Sequence, residues 1–125
     1  MDIPDDWYAE AAISTIPLQG RSYEAGPPER INLPPSGELA LSDVRPPRRA
    51  PGVPGLVRER AVALLGGFQS KTPLPPIVAY AVPDPPFAYR LGEGYHRYYL
   101  SLAVGFTHVP AVILTYWEPW MTGDE

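Results

Sequence analysis

Proline decides where this chain cannot be helical. Eighteen of its 125 residues are proline, against the roughly 5% of average usage. Ten of them fall in residues 1–57, with pairs at Pro27-Pro28, Pro34-Pro35 and Pro46-Pro47. A proline ring fixes φ and removes a backbone donor, so such pairs forbid helix and favour extended or polyproline segments. Two substantial windows remain for helices, and the candidate functional residues gather around them.

The first window runs from Pro54 to Gly67. Pro54 suits a first helical turn and Gly66-Gly67 suits a stop. Val57, Ala61, Leu64 and Leu65 would form its buried face, with Arg58, Glu59 and Ala63 turned away. The second helix is expected over residues 95–104. Tyr95, Tyr98, Tyr99 and Leu102 recur at helical spacing and would share one face. His96 and Arg97 fall outside that face, which puts Arg97 at the surface of the first turn. Gly105 is placed as the stop, with Phe106 folding back onto the last turn.

Strands fill the remaining apolar stretches. Residues 38–45 alternate as far as Pro46. Ile77-Val78-Ala79-Tyr80-Ala81-Val82 has the β-branched, apolar composition of a buried strand. The tight Pro83-Asp84-Pro85-Pro86 connection leads to a hairpin partner over residues 87–91. A last strand over 109–116 carries Pro110 near its start, where a missing donor is tolerated. The expected fold is therefore α/β (α+β), a small mixed β-sheet packed with helices. Residues 1–37 read as a proline-rich N-terminal arm, 38–116 as the domain, and 117–125 as an aromatic and acidic tail. Within the arm, Trp7 to Ala12 suits a short helical turn, and Ile13 to Leu18 and Arg30 to Leu33 suit short strands. Trp7 or the aromatic residues of 117–120 are expected to pack on the domain or on another copy of it, since large aromatic side chains are hard to leave in water.

Composition removes several function classes. There is no cysteine, so disulfides, thiolate catalysis and cysteine-bound metal are all absent. No apolar run approaches the ~20 residues of a membrane span and no signal-peptide pattern opens the chain, which makes a cytoplasmic location the default. A net charge of −4 argues against nucleic-acid binding through overall charge. The exception is local: from Arg45 to Arg60 there are five arginines and one acid, Glu59.

The chemistry concentrates at Gly92-Glu93-Gly94-Tyr95-His96-Arg97. Backbone N–H groups at a helix N-terminus attract anions, and a nearby guanidinium strengthens the attraction. The turn is thus a candidate phosphate cradle, with a bare strand–turn–helix joint as the plainer alternative. Other constellations are weaker. Glu93, His96 and His108 are the material for a metal site, but a whole helix separates His108 from the others. A triad of Ser101, His96 and Glu93 would need residues from different helical faces. No Walker-type loop is present.

The order of elements and motifs resembles the ParB/sulfiredoxin superfamily, and in particular the N-terminal domain of ParB-type partition proteins. Asp43-Val44-Arg45-Pro46, with Arg48 or Arg49 following, looks like the family's Asp-Ile-Arg-Pro…Arg pattern. Pro76-Ile77-Val78 looks like its Pro-Ile-Val strand. Gly92-Glu93-Gly94-Tyr95-His96-Arg97 looks like its Gly-Glu-Arg-Arg-x-Arg box, keeping the first Gly, the Glu and the last Arg. Val104-Gly105-Phe106-Thr107-His108-Val109-Pro110-Ala111 looks like the later Ala-Gly-Leu-x-x-Val-Pro-Val segment. The match spans about residues 38–116.

The resemblance implies a nucleoside triphosphate with Mg²⁺, or another phosphate ester, held by Gly92, Gly94, Tyr95, His96, Arg97, Arg45, Arg48 and Arg49. It implies Glu93 as the catalytic candidate, in a bacterial plasmid or phage setting, with NTPase, kinase or related activity. Two departures weaken that expectation. Gly94 and Tyr95 stand where the family has two arginines. Tyr95 also replaces the cysteine of the sulfiredoxin Gly-Cys-His-Arg box, so sulfinic acid reductase chemistry is not expected. No DNA-reading helix-turn-helix or dimerisation domain follows in this sequence, so sequence-specific partition is not expected of this chain alone. The alternatives are a degenerate fold used as a protein-interaction or regulatory module, with the arm or tail as its contact, and a DNA-associated accessory protein or nuclease.

Overall fold

The structure, a computed structural model, describes residues 3–14, 16–28, 33, 36–47, 55–81 and 85–115. Three helices are described: α1 (Asp5–Glu10), α2 (Arg58–Ser70) and α3 (Tyr95–Ala103). They join strands β1 (Gly37–Ala40), β2 (Val44–Arg45), β3 (Ile77–Tyr80), β4 (Tyr89–Glu93) and β5 (His108–Leu114). The strands form one mixed five-stranded sheet in the order β1-β5-β3-β4-β2. β5 lies parallel to β3 and antiparallel to β1, while β4 lies antiparallel to β3 and parallel to β2.

One expected strand turns out to be two. Residues 38–45 break at a 3-10 turn, Leu41–Asp43. β1 and β2, on either side of that turn, occupy opposite edges of the sheet. Three residues of 3-10 helix rise only about 6 Å. The two edges must therefore approach each other, and the sheet curls towards a barrel. Leu41 and Val44 point into the core it encloses.

The layers follow from burial. α3 packs on β3 and β5, α2 packs on α3, and α1 packs on α2. β3 is buried along its whole length, as its composition suggested. Ile77 and Ala79 face the main core, whereas Val78 and Tyr80 join Val112, Leu114 and Leu33 in a smaller cluster.

α2 lies further along the chain than Pro54 to Gly67. Residues 55–57 are not helical, and Gly66 and Gly67 sit inside the helix. Gly67 is there for packing, since a Cβ would stand 3.1 Å from Leu74 Cδ1. The stop comes instead from Lys71 in the left-handed region (φ 59°). Its N–H donates to Phe68 O and that of Thr72 to Gly67 O, the paired bonds of a Schellman ending. The buried face is Ala61, Leu65 and Phe68, not one containing Val57, which is 54% exposed.

The N-terminal residues are closely applied to this framework. Trp7 packs against the core, as expected, and α1 forms across Asp5–Glu10. Residues 13, 14 and 16–18 are not in the expected strand. Leu18 N–H donates instead to Val104 O, beyond the end of α3. Tyr23 is buried, stacks edge-on against Phe68 and donates its hydroxyl to Pro75 O. A single parallel bridge pairs Ala25 with Leu74. Arg30 to Asn32 and Trp117 to Trp120 lie outside the described residues.

Candidate anion-binding site

β4 delivers the glycine turn to α3. The register of β3 and β4 shifts between Val78↔Glu93 and Ala79↔Leu91, so Gly92 is the extra residue of a β-bulge. A Cβ there would stand 2.4 Å from the Tyr80 ring. Gly94 is the N-cap of α3, at φ 104° and ψ 37°, and a Cβ on it would stand 2.6 Å from Ile77 Cγ2. β3 beneath them thus leaves no room for a side chain at either position, and at Gly94 the positive φ calls for glycine as well. Tyr98 N–H donates to Gly94 O at 2.8 Å, closing the first turn.

Around that turn lies a cavity of about 220 Å³, lined by Arg60, Ala63, Leu64, Gly94, His96 and Arg97. Arg60 comes from the first turn of α2 and Arg97 from the first turn of α3. No side chain caps the N-terminus of either helix. Two arginines, each in the first turn of its helix, thus line one small space beside Gly94. Ala63 and Leu64 give it an apolar wall. Helix N-termini and arginines are the groups that attract phosphate.

Arg97 is not at the surface. It is 7% exposed, and so is His96. The correction has a simple cause. A single helical face was read from the tyrosines, but α3 is a central helix, with the sheet on one side and α2 on the other. Arg97 lies beside Arg60, Ala63 and Leu64 of α2, and Leu102, expected inside, is 42% exposed.

The other predicted site residues divide. His96 Nε2 accepts the Val57 N–H at 2.8 Å. The ring is therefore held with its proton on Nδ1, and its Nε2 lone pair is committed to protein. Tyr95 is buried against Tyr99, with ring centroids 4.9 Å apart. It does not line the cavity, and neither do Gly92, Glu93 and Arg45. Arg48 and Arg49 lie outside the described residues. The described start of their loop is nevertheless tied to α3: Tyr98 donates to Val44 O at 3.3 Å and Tyr99 donates to Pro47 O at 3.0 Å. Burial, and then the neighbouring Tyr99, push the Tyr98 phenol up to about 12.

Arg60 was missed as a site residue. The signal was its membership of the basic concentration, but helical spacing alone does not show which neighbour α2 packs on. The weaker constellations do not assemble. Ser101 is fully buried, and its hydroxyl has no partner among the described residues. His108 Nδ1 is 2.7 Å from Thr107 Oγ1 at the start of β5. Among the described residues, no three His, Cys, Asp or Glu side chains gather as a metal would require.

The curled five-stranded mixed sheet with three helices is a ParB-like fold. One solved structure of this kind is the C-terminally truncated chromosome-partitioning protein ParB from Caulobacter crescentus, complexed with CTP-gamma-S. It superposes with a TM-score of 0.52 at 21% identity, covering 69% of this chain and 47% of that one. The chain thus spans about half the length of that ParB chain. No family model matches the chain, and no curated protein matches it. None of the described helices is long and apolar enough to cross a membrane.

Proposed function

We propose that this chain is a ParB-like nucleotide- or phosphate-ester-binding domain, with the phosphate end of its ligand seated between the N-termini of α2 and α3. The observation that carries the reading is the cavity in which Arg60 and Arg97 meet beside Gly94. Its volume of about 220 Å³ is below the roughly 300–1,000 Å³ of pockets that enclose a whole small molecule. A phosphate group fits inside, and the nucleoside would lie across the mouth. The ParB structure with CTP-gamma-S supports CTP as the first ligand to try. Arg45, Arg48 and Arg49 would approach from the loop that Tyr98 and Tyr99 tether.

Mg²⁺ fits this picture as a companion of the ligand. The ion is commonly held by substrate phosphates plus one or two carboxylates; Glu93 precedes Gly94 but does not line the cavity, so it would serve only for an ion at the cavity's edge. When bound, the ion would neutralise phosphate charge. Glu93 is also the proposed base for any NTPase or kinase step.

A protein-interaction or regulatory module is the second reading. Two observations favour it: both glycines of the turn are accounted for by β3, and His96 is engaged by Val57. A thermal-shift screen of nucleotides, with and without Mg²⁺, separates the two. A ligand at 100 times its dissociation constant stabilises by about 2.7 kcal/mol. A shift with CTP or another phosphate ester that falls by half or more in Arg60→Ala is the expected result. No shift with any nucleotide at millimolar concentration would leave the interaction module standing.

A further inference from the structure

We infer that His96 is a positioning residue rather than a ligand contact: it docks the N-terminus of α2 onto that of α3 and so sets the gap between Arg60 and Arg97. The inference rests on the proposed anion site and assigns its architecture to one side chain.

Three observations place His96 in that role. Its Nε2 accepts the Val57 N–H at 2.8 Å, across a sequence separation of 39 residues. Val57 is the N-cap of α2, with extended backbone (φ −96°, ψ 124°), and its carbonyl accepts the Ala61 N–H that opens the helix. The bond therefore holds the point from which α2 begins. Arg60 is three residues further along α2, and Arg97 is the next residue after His96. Any slide or rotation of α2 across α3 changes the spacing of the two guanidinium groups directly.

Apolar packing does not fix that spacing by itself. It is non-directional, and it favours burial at several nearby helix positions. A hydrogen bond from a rigid ring to a single N–H selects one of them. The ring is itself held edge-on by Tyr95, with centroids 6.0 Å apart. An α2 no longer held at Val57 can settle at more than one position on α3, including ones with a wider gap. A wider gap loses the simultaneous contact of both arginines with one phosphate.

The test compares His96→Gln with His96→Leu. A glutamine amide oxygen reaches about where Nε2 stands and can accept the Val57 N–H, whereas leucine fills the space and accepts nothing. Two measurements are made on the full chain: calorimetric affinity for CTP with Mg²⁺ and for inorganic phosphate, and hydrogen exchange of the Val57 amide by NMR. Circular dichroism establishes that each variant is folded. His96→Leu should lose at least tenfold in affinity, and the Val57 amide should exchange faster. His96→Gln should bind within about threefold of wild type and keep the amide protected. Three results would overturn the inference: His96→Leu binding as wild type does, an equally protected Val57 amide in His96→Leu, or a His96→Gln variant that protects the amide yet binds as poorly as His96→Leu. The last would make His96 a direct phosphate contact. Wild type that binds neither probe overturns the proposed function and the affinity half of the inference together, while the Val57 amide still decides the docking half.

Discussion

Arg60 and Arg97 line the same cavity, but they respond differently to substitution. Arg60 is exposed, and among the described residues it has no ion-pair partner. Arg60→Ala should therefore leave the melting temperature within a degree or two. A charge-assisted hydrogen bond contributes about 1.5–3 kcal/mol, so the same variant should lose roughly ten- to a hundredfold in phosphate-ester affinity. Calorimetry and a thermal melt on one preparation check both halves, and a large fall in stability would count against the surface role. Arg97 is 7% exposed, so Arg97→Ala should reduce binding and stability together and is the poorer probe. Tyr98 supplies a pH-dependent test. Its phenol is raised from 10.0 to about 12, by burial first and Tyr99 second. The neutral form is thus favoured in the folded state. Its share of stability, about 3 kcal/mol, is fully present below pH 10 and is lost as pH rises through 12. Tyr98→Phe should flatten that part of an alkaline denaturation profile, and an unchanged profile would show that the Tyr98 phenol does not set it.

At the scale of elements, the two glycine-like positions behave oppositely. Gly94 combines φ 104° with a β3 side chain 2.6 Å from any added Cβ. Gly94→Ala should cost at least about 2 kcal/mol by denaturant titration, since strain and overlap add. Lys71 is a non-glycine residue in the left-handed region at the end of α2. Lys71→Gly should therefore stabilise by about 0.5–1 kcal/mol, visible as a higher denaturation midpoint. The contrast also shows what the sequence made legible. The composition of β3, the hairpin to β4, the start of β5 and the span of α3 were readable because local alternation and helical spacing decide them. The end of α2 was not, because Gly66-Gly67 has the form of a stop and only Leu74, folded back over Gly67, explains glycine there. The break at Leu41–Asp43 was equally hidden, since sheet closure, not local pattern, sends β1 and β2 to opposite edges. For the site, the turn at Gly94 was legible, whereas the burial of Arg97 and the arrival of Arg60 depend on where α2 lies.

At the scale of the whole molecule, the N-terminal residues hold together the far side of the helix layers. Arg58, at the start of α2, pairs with Glu10 at 2.6 Å and lies 3.6 Å from Asp6, both on α1. These bonds are exposed and contribute little. The larger contribution is apolar. Ile3 and Tyr23 are buried, and Trp7, Ile13 and Leu18 pack partly on the same core. Tyr23 and Phe106 flank Phe68, with ring centroids 5.2 and 5.4 Å from it. Full burial of one such side chain contributes about 1.5–3 kcal/mol. Even with three of the five only partly covered, the segment supplies about 5–10 kcal/mol. That is comparable with the roughly 5–15 kcal/mol stability of an ordinary domain. A chain beginning at residue 29 would also lose the Ala25–Leu74 bridge and the bonds from Thr107 and His108 N–H to Arg21 O. Such a truncation should not give a cooperative melt and should bind hydrophobic dyes through the exposed Phe68 and Phe106. A truncated chain that still melts cooperatively within a few degrees of wild type would show that the arm is an appendage and that residues 38–116 suffice for the fold.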